Sequence, residues 1–191
     1  MKVKLIQPRM LKRPMDTDLK IHMSPHLGLL TVANIIRHEC EVTIENENIR
    51  EIDFNDVPDL VGIAVTVDVL PRAMEIAAIY RKKGAKVIAG GIHITTAFDT
   101  VPKEAFDSLC IGFAENTWPQ IIEDTKHGRL QSQYVSAPLE SGDDIASPAY
   151  DLIDKTDYLW YNVVSTSRSC PHKCDFCYNS SGTHQYINRN I

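Results

Sequence analysis

Apolar and polar positions along residues 2 to about 128 alternate between strand-like runs and helix-like stripes. Lys2–Gln7 is a short apolar strand. Leu27–His38 carries Leu29, Leu30, Ala33 and Ile36 at helical spacing. Glu41–Glu45 alternates with Val42 and Ile44 inward, as an edge strand does. Leu60–Val67 is unbroken, apolar and rich in β-branched residues, which predicts a central strand buried on both faces. Pro71 opens a helix at its preferred first turn, and the helix runs to Lys83 and stops at Gly84. Lys86–Ala89 is the next strand, ending in Gly90–Gly91. Pro102–Phe106 is a short helical piece and Ser108–Phe113 the fifth strand. Thr117 caps a last helix that has Pro119 near its start and ends at Gly128.

This repetition predicts an α/β fold with a doubly wound, five-stranded parallel sheet in flavodoxin-like order over residues 1–130. Residues 131–159 are rich in Ser, Gly, Pro, Asp and Glu and read as a linker; within them and just beyond, Tyr150–Tyr161 regains aromatics as a short helix or turn. Residues 160–191 form a third segment, in which Tyr161–Ser165 reads as a strand followed at once by a cysteine loop.

Ligands of such sheets bind beyond the carboxyl ends of the strands. Four connections gather there: the long Pro8–His26, then Thr66–Val69, Gly90–Thr95 and Gly112–Asn116. Gly90–Gly91 either lets the backbone approach a flat ligand or makes a plain turn. His22, His26 and His93 lie on the same edge as candidate ligands or ordinary loop residues; His38 and His127 fit helix C-termini. No G-x-G-x-x-G follows a strand and no phosphate-loop pattern is present, so a dinucleotide or nucleotide-triphosphate site lacks support.

Net charge is −5 with 24% charged residues, which argues against a nucleic-acid or anionic-membrane partner. No secretory segment and no run of ~18 apolar residues appears, so a cytoplasmic protein is expected. Five cysteines without an export signal make a disulfide framework unlikely.

Three of the five lie at Cys170, Cys174 and Cys177, a C-x3-C-x2-C spacing that lets three thiolates face one point. Soft thiolates select iron–sulfur clusters or zinc. Arg168 and Lys173 favour the thiolate forms. Three cysteines leave one iron of a cluster open to a cosubstrate, whereas a redox-only cluster has four protein ligands. Zinc would recruit His172 or His184 as a fourth ligand.

With Phe176 before the last cysteine and a strand just ahead, the loop resembles the radical S-adenosylmethionine (SAM) signature. The resemblance implies a [4Fe–4S] cluster on Cys170, Cys174 and Cys177, SAM chelating the open iron with Phe176 near the adenine, and cleavage of SAM to a 5′-deoxyadenosyl radical. Four further stretches, Ser24–Leu30, Val61–Thr66, Val87–His93 and Ile111–Thr117, resemble the N-terminal domain of cobalamin-dependent radical SAM proteins, which include methyltransferases and ring-forming enzymes. Carried over by position, Thr66, Gly90, Gly91 and His93 would contact cobalamin, and Gly112 and Glu115 would close the edge. The D-x-H-x-x-G motif is absent, Asp18 and His22 being at the wrong spacing, which implies cobalamin without a histidine lower ligand.

A complete radical SAM barrel needs far more chain than follows Cys177. The expectation is an N-terminal portion whose remaining barrel is supplied in trans or is missing, with residues 1–130 folding alone, 165–191 poorly ordered, and no SAM cleavage by the chain itself. The alternatives are a non-catalytic cobalamin-binding module with a vestigial cluster loop, and a zinc-stabilised structural protein.

Overall fold

The structure, a computed structural model, describes residues 1–180 and 186–189. Six parallel strands form the main sheet: β1 (Lys2–Gln7), β2 (Glu41–Asn46), β3 (Leu60–Ala64), β4 (Lys86–Gly90), β5 (Ser108–Ile111) and β6 (Gln133–Val135), in the order 2-1-3-4-5-6. The first five follow the expected flavodoxin-like order. The sixth corrects the count of five. It lies in the stretch read as linker, where only Tyr134 of the three strand residues is buried, too short a run to show a period.

Helices cover both faces. On one side α2 (Leu27–Ile36) and α5 (Ala114–Lys126) pack Leu29, Val32, Ile36, Trp118 and Ile121 against Val3, Leu5, Leu60 and Ile88. On the other, α3 (Leu70–Lys82) presses Ala73, Ile76, Ala77 and Tyr80 onto Ile6, Val61, Val87 and Leu109. Residues of β3 are buried throughout, as an interior parallel strand requires. Pro71 sits in the first turn of α3 and Gly84 follows its end at φ +89°, both as the sequence predicts.

Several boundaries differ: β3 ends at Ala64 and not Val67, and β5 ends at Ile111 and not Phe113. Helix α5 begins at Ala114, one turn before Thr117, whose hydroxyl turns back to donate to Phe113 O at 3.0 Å. Pro119 consequently lies inside the helix. Gly90–Thr95, expected as loop, contains a short helix, α4 (Ile92–Thr96). A one-turn helix, α1 (Asp18–Ile21), interrupts the long Pro8–His26 connection.

Beyond β6 the chain is strapped across the α2 side of the sheet. Ala149 N donates to Leu30 O at 3.0 Å. Arg37 makes a bidentate pair with Asp151 at 2.8 and 2.5 Å, and Arg50 another with Asp157 at 2.5 and 2.7 Å. Leu159 N and Trp160 N then donate to His22 O and Met23 O at 2.8 and 3.0 Å. The expected strand at Tyr161–Ser165 is replaced by irregular chain; pairing begins later, where β7 (Ser167–Arg168) runs antiparallel to β8 (Ile187–Asn188). Part of the segment expected to be poorly ordered, residues 181–185 and 190–191, lies outside the described residues, as does His184. No helix among the described residues is long and apolar enough to cross a membrane.

Candidate functional site

A cavity of about 200 Å³ opens at the carboxyl ends of β3, β4 and β5, between the sheet and the N-termini of α2 and α5. Its floor is mostly apolar: Leu29 and Val32 from α2, Ile63 and Ala64 from β3, and Trp118 from α5. Apolar cavities of about 150 Å³ take benzene, and drug-sized ligands need about 300 Å³ or more. The space therefore suits one flat aromatic fragment and excludes a macrocycle.

Glycines shape it. A Cβ on Gly62, in the middle of β3, would lie 2.7 Å from Trp118 Cη2 and 2.8 Å from Leu5 Cδ2, so the bare backbone is what lets the indole approach the sheet this closely. A Cβ on Gly91 would come within 2.9 Å of Val65 O, at φ +110°. Gly90 is different. Its Cβ would meet Cys110 Cβ at 3.5 Å and Cys110 O at 3.7 Å, both ordinary contacts, so its missing side chain leaves space in the cavity rather than room for a neighbour.

Polar groups at the rim are few. His26 caps α2, its Nδ1 accepting from Leu29 N at 3.2 Å, and burial pushes its pKa down. The imidazole is thus neutral near neutral pH, with its proton on Nε2. Cys110 Sγ lies 3.2 Å from Thr117 Oγ1; Thr117 already donates to Phe113 O, so the thiol is the donor. Burial pushes Cys110 up to about 11, which keeps it protonated. Glu115, in the first turn of α5, accepts from Arg168 Nη2 at 3.1 Å.

Of the six residues expected to contact cobalamin, Gly90, Gly91, Gly112 and Glu115 line this cavity. Thr66 and His93 lie outside it. Thr66 Oγ1 donates to Asp68 Oδ1 at 2.6 Å, and His93 Nε2 lies 3.4 Å from Thr100 Oγ1. Gly112 N donates to Thr95 Oγ1 at 3.0 Å, tying the turn after β5 to α4. Gly62 and Trp118 were not singled out by the sequence reading. A glycine inside a fully apolar strand is the signal that could have found the first.

The cysteine loop starts at the cavity wall. Arg168, two residues before Cys170, contributes to the lining. Cys177 N donates to Cys174 O at 3.0 Å, closing a turn between the last two cysteines. All three cysteines are half-buried, and Phe176 is 94% exposed. Among the described residues, no three His, Cys, Asp or Glu side chains are gathered closely enough to hold one ion. As a donor set, three thiols of one short loop fit an iron–sulfur cluster or zinc. His172 is exposed.

A larger cleft of about 550 Å³ lies between the Pro8–His26 connection and the turn after β2. Among its charged residues Arg9 pairs with Glu51 at 2.6 Å and Lys20 with Asp16 at 3.1 Å, and no residue of the cysteine loop lines it.

No protein-family model matches the chain. It is 27% identical over 214 aligned residues to an uncharacterised methyltransferase of Pyrococcus horikoshii, covering 94% of the chain and 46% of the relative. It is 30% identical over 168 residues to the bacteriochlorophyllide d C-8(2)-methyltransferase of Chlorobaculum tepidum, covering 85% and 37%. It is 27% identical over 170 residues to the hopanoid C-2 methylase of Rhodopseudomonas palustris, covering 86% and 32%. The chain thus has methyltransferases as relatives and spans less than half the length of each.

Proposed function

We propose that the chain is the cofactor-binding N-terminal portion of a cobalamin-dependent radical SAM methyltransferase. The observation that carries this reading is the position of Arg168: the strand that leads into Cys170, Cys174 and Cys177 forms part of the wall of the glycine-edged cavity. A cofactor cavity and a metal loop so joined have a purpose if what each holds must react together. When bound, cobalamin supplies a cobalt that carries the methyl group, and the [4Fe–4S] cluster supplies the electron that cleaves SAM.

The chain's residues have these parts. Gly90 would leave room at the cavity floor for the flat end of the cobalamin nucleotide, while Leu29, Val32 and Trp118 would keep water from it. Gly91 and Gly112 shape the turns beside it, and Glu115 closes the edge. Cys170, Cys174 and Cys177 would hold three irons of the cluster, and the exposed Phe176 would offer its ring to the adenine of SAM. His22 and His26 are assigned no part in holding cobalamin, because His22 Nδ1 bonds Asp157 O at 2.8 Å and His26 Nδ1 caps α2. In this assignment the cobalamin-binding unit is the six-stranded sheet with its helices, which extends past residue 130 to include β6, and 160–191 form the start of the radical SAM unit. The greater length of the relatives supports assigning the rest of that unit to further polypeptide, in cis or in trans.

The test is titration of hydroxocobalamin into the chain with Trp160→Phe, which leaves Trp118 as the one indole reporter. Saturable quenching, with cobalt retained through dialysis, is expected. Unchanged Trp118 emission and free passage of cobalt would refute the cobalamin assignment.

A further inference from the structure

Two observations meet at Arg168. The first is its ion pair. The Glu115 side chain is 7% exposed and that of Arg168 is 22% exposed, so the carboxylate sits in a largely desolvated cavity wall with the guanidinium as its countercharge. Removing one partner of such a pair strands the other. Arg168 Nη1 also lies 3.4 Å from Ser165 Oγ, and its backbone pairs with Ile187 in the two-stranded ribbon.

The second is Ser169. It is the one non-glycine residue with positive φ among the described residues, at +60°. It stands between the ion-paired Arg168 and Cys170. A left-handed conformation is unfavourable for a residue with a Cβ and persists where its neighbours over-determine it. Here one neighbour is anchored to α5 through Glu115, and the next begins the cysteine loop.

We infer that Arg168 is a positioning residue: its pair with Glu115 docks the cysteine loop on the cavity, and the turn at Ser169 sets the direction in which Cys170 leaves. The inference rests on the reading of cavity and loop as one two-cofactor site, and it assigns how the two halves are held in register. The pair joins residues 53 positions apart, so it is the fold and not local sequence that fixes the loop.

Hydrogen–deuterium exchange of the metal-free, cobalamin-free chain tests it. Arg168→Ala and Glu115→Gln are each expected to speed exchange in residues 163–178 by about tenfold or more, the factor that one lost charge-assisted hydrogen bond implies. Exchange in β1, β3 and α3 is expected to stay as in the parent chain. The double variant should add little to either single one, and Arg168→Lys should restore much of the protection. Unchanged exchange in 163–178, or acceleration spread equally over the sheet, would overturn the inference, the latter by showing a general structural role. Hydroxocobalamin binding is measured separately on the same proteins. Its failure in the parent chain would remove the cobalamin reading and leave the exchange result to decide the docking role.

Discussion

Substituting Gly62 by alanine probes the packing that shapes the cavity. The new methyl would lie 2.7 and 3.0 Å from two carbons of Trp118 and 2.8 Å from Leu5 Cδ2, in a strand whose five residues are all buried. Overpacking of this kind costs about 1–3 kcal/mol. Alanine also narrows the unfolded ensemble, which offsets about 0.4–1 kcal/mol. The net expectation is a loss of about 1–2 kcal/mol. With a urea dependence near 2 kcal/mol per molar, the midpoint falls by about 0.5–1 M. Gly90→Ala is the internal control, because its methyl meets Cys110 Cβ at 3.5 Å and Cys110 O at 3.7 Å, both ordinary contacts. Only the unfolded-state term then acts, so the midpoint stays or rises slightly. Urea unfolding followed by circular dichroism measures both. A Gly62→Ala midpoint equal to or above that of Gly90→Ala would refute the close-approach argument.

Gly90→Val should keep the fold and fill the cavity, lowering hydroxocobalamin affinity by at least about tenfold, or ~1.4 kcal/mol; equilibrium dialysis measures it. Cys174→Ser and Cys177→Ser should each abolish the brown absorbance after anaerobic reconstitution with iron and sulfide, whereas Cys40→Ser, far from the loop, should retain it. Asp124 accepts from Arg129 Nε at 2.7 Å and Tyr134 OH at 2.8 Å, and the Arg129 guanidinium lowers its pKa below the ordinary 3.8. A folded pKa below the unfolded one gives stability that is present above 3.8 and is lost as pH falls through the folded value. Asp124→Asn should therefore flatten the acid limb of a stability–pH curve and weaken the hold of α5 on β6.

What was legible in the sequence was local. The apolar run of β3 and the Pro71 and Gly84 boundaries of α3 carry their signals within a few residues. Strand β6 was not legible because Tyr134 alone faces the core there. The start of α5 was misplaced because Phe113, its N-cap, has no capping side chain, while Thr117, which looks like a cap, bonds backward from inside the helix. The strap over residues 149–160 is held by Arg37–Asp151 and Arg50–Asp157, partners more than a hundred residues apart, and such pairs leave no periodicity. At the site, the cysteine spacing and the Gly90–Gly91 pair were visible as composition. The roles of Gly62 and Trp118 depend on two elements meeting, as does the pairing of Arg168 with Glu115.

The central claim is that one chain carries both a cobalamin cavity and a cluster loop. Anaerobic reconstitution with iron, sulfide and hydroxocobalamin, followed by desalting and metal analysis, tests it most directly. Iron, sulfide and cobalt are expected to be retained together in the ratio of one [4Fe–4S] cluster to one cobalt per chain, with an absorbance that changes on adding SAM. A chain that retains zinc in preference to iron, and passes cobalt freely, would contradict it.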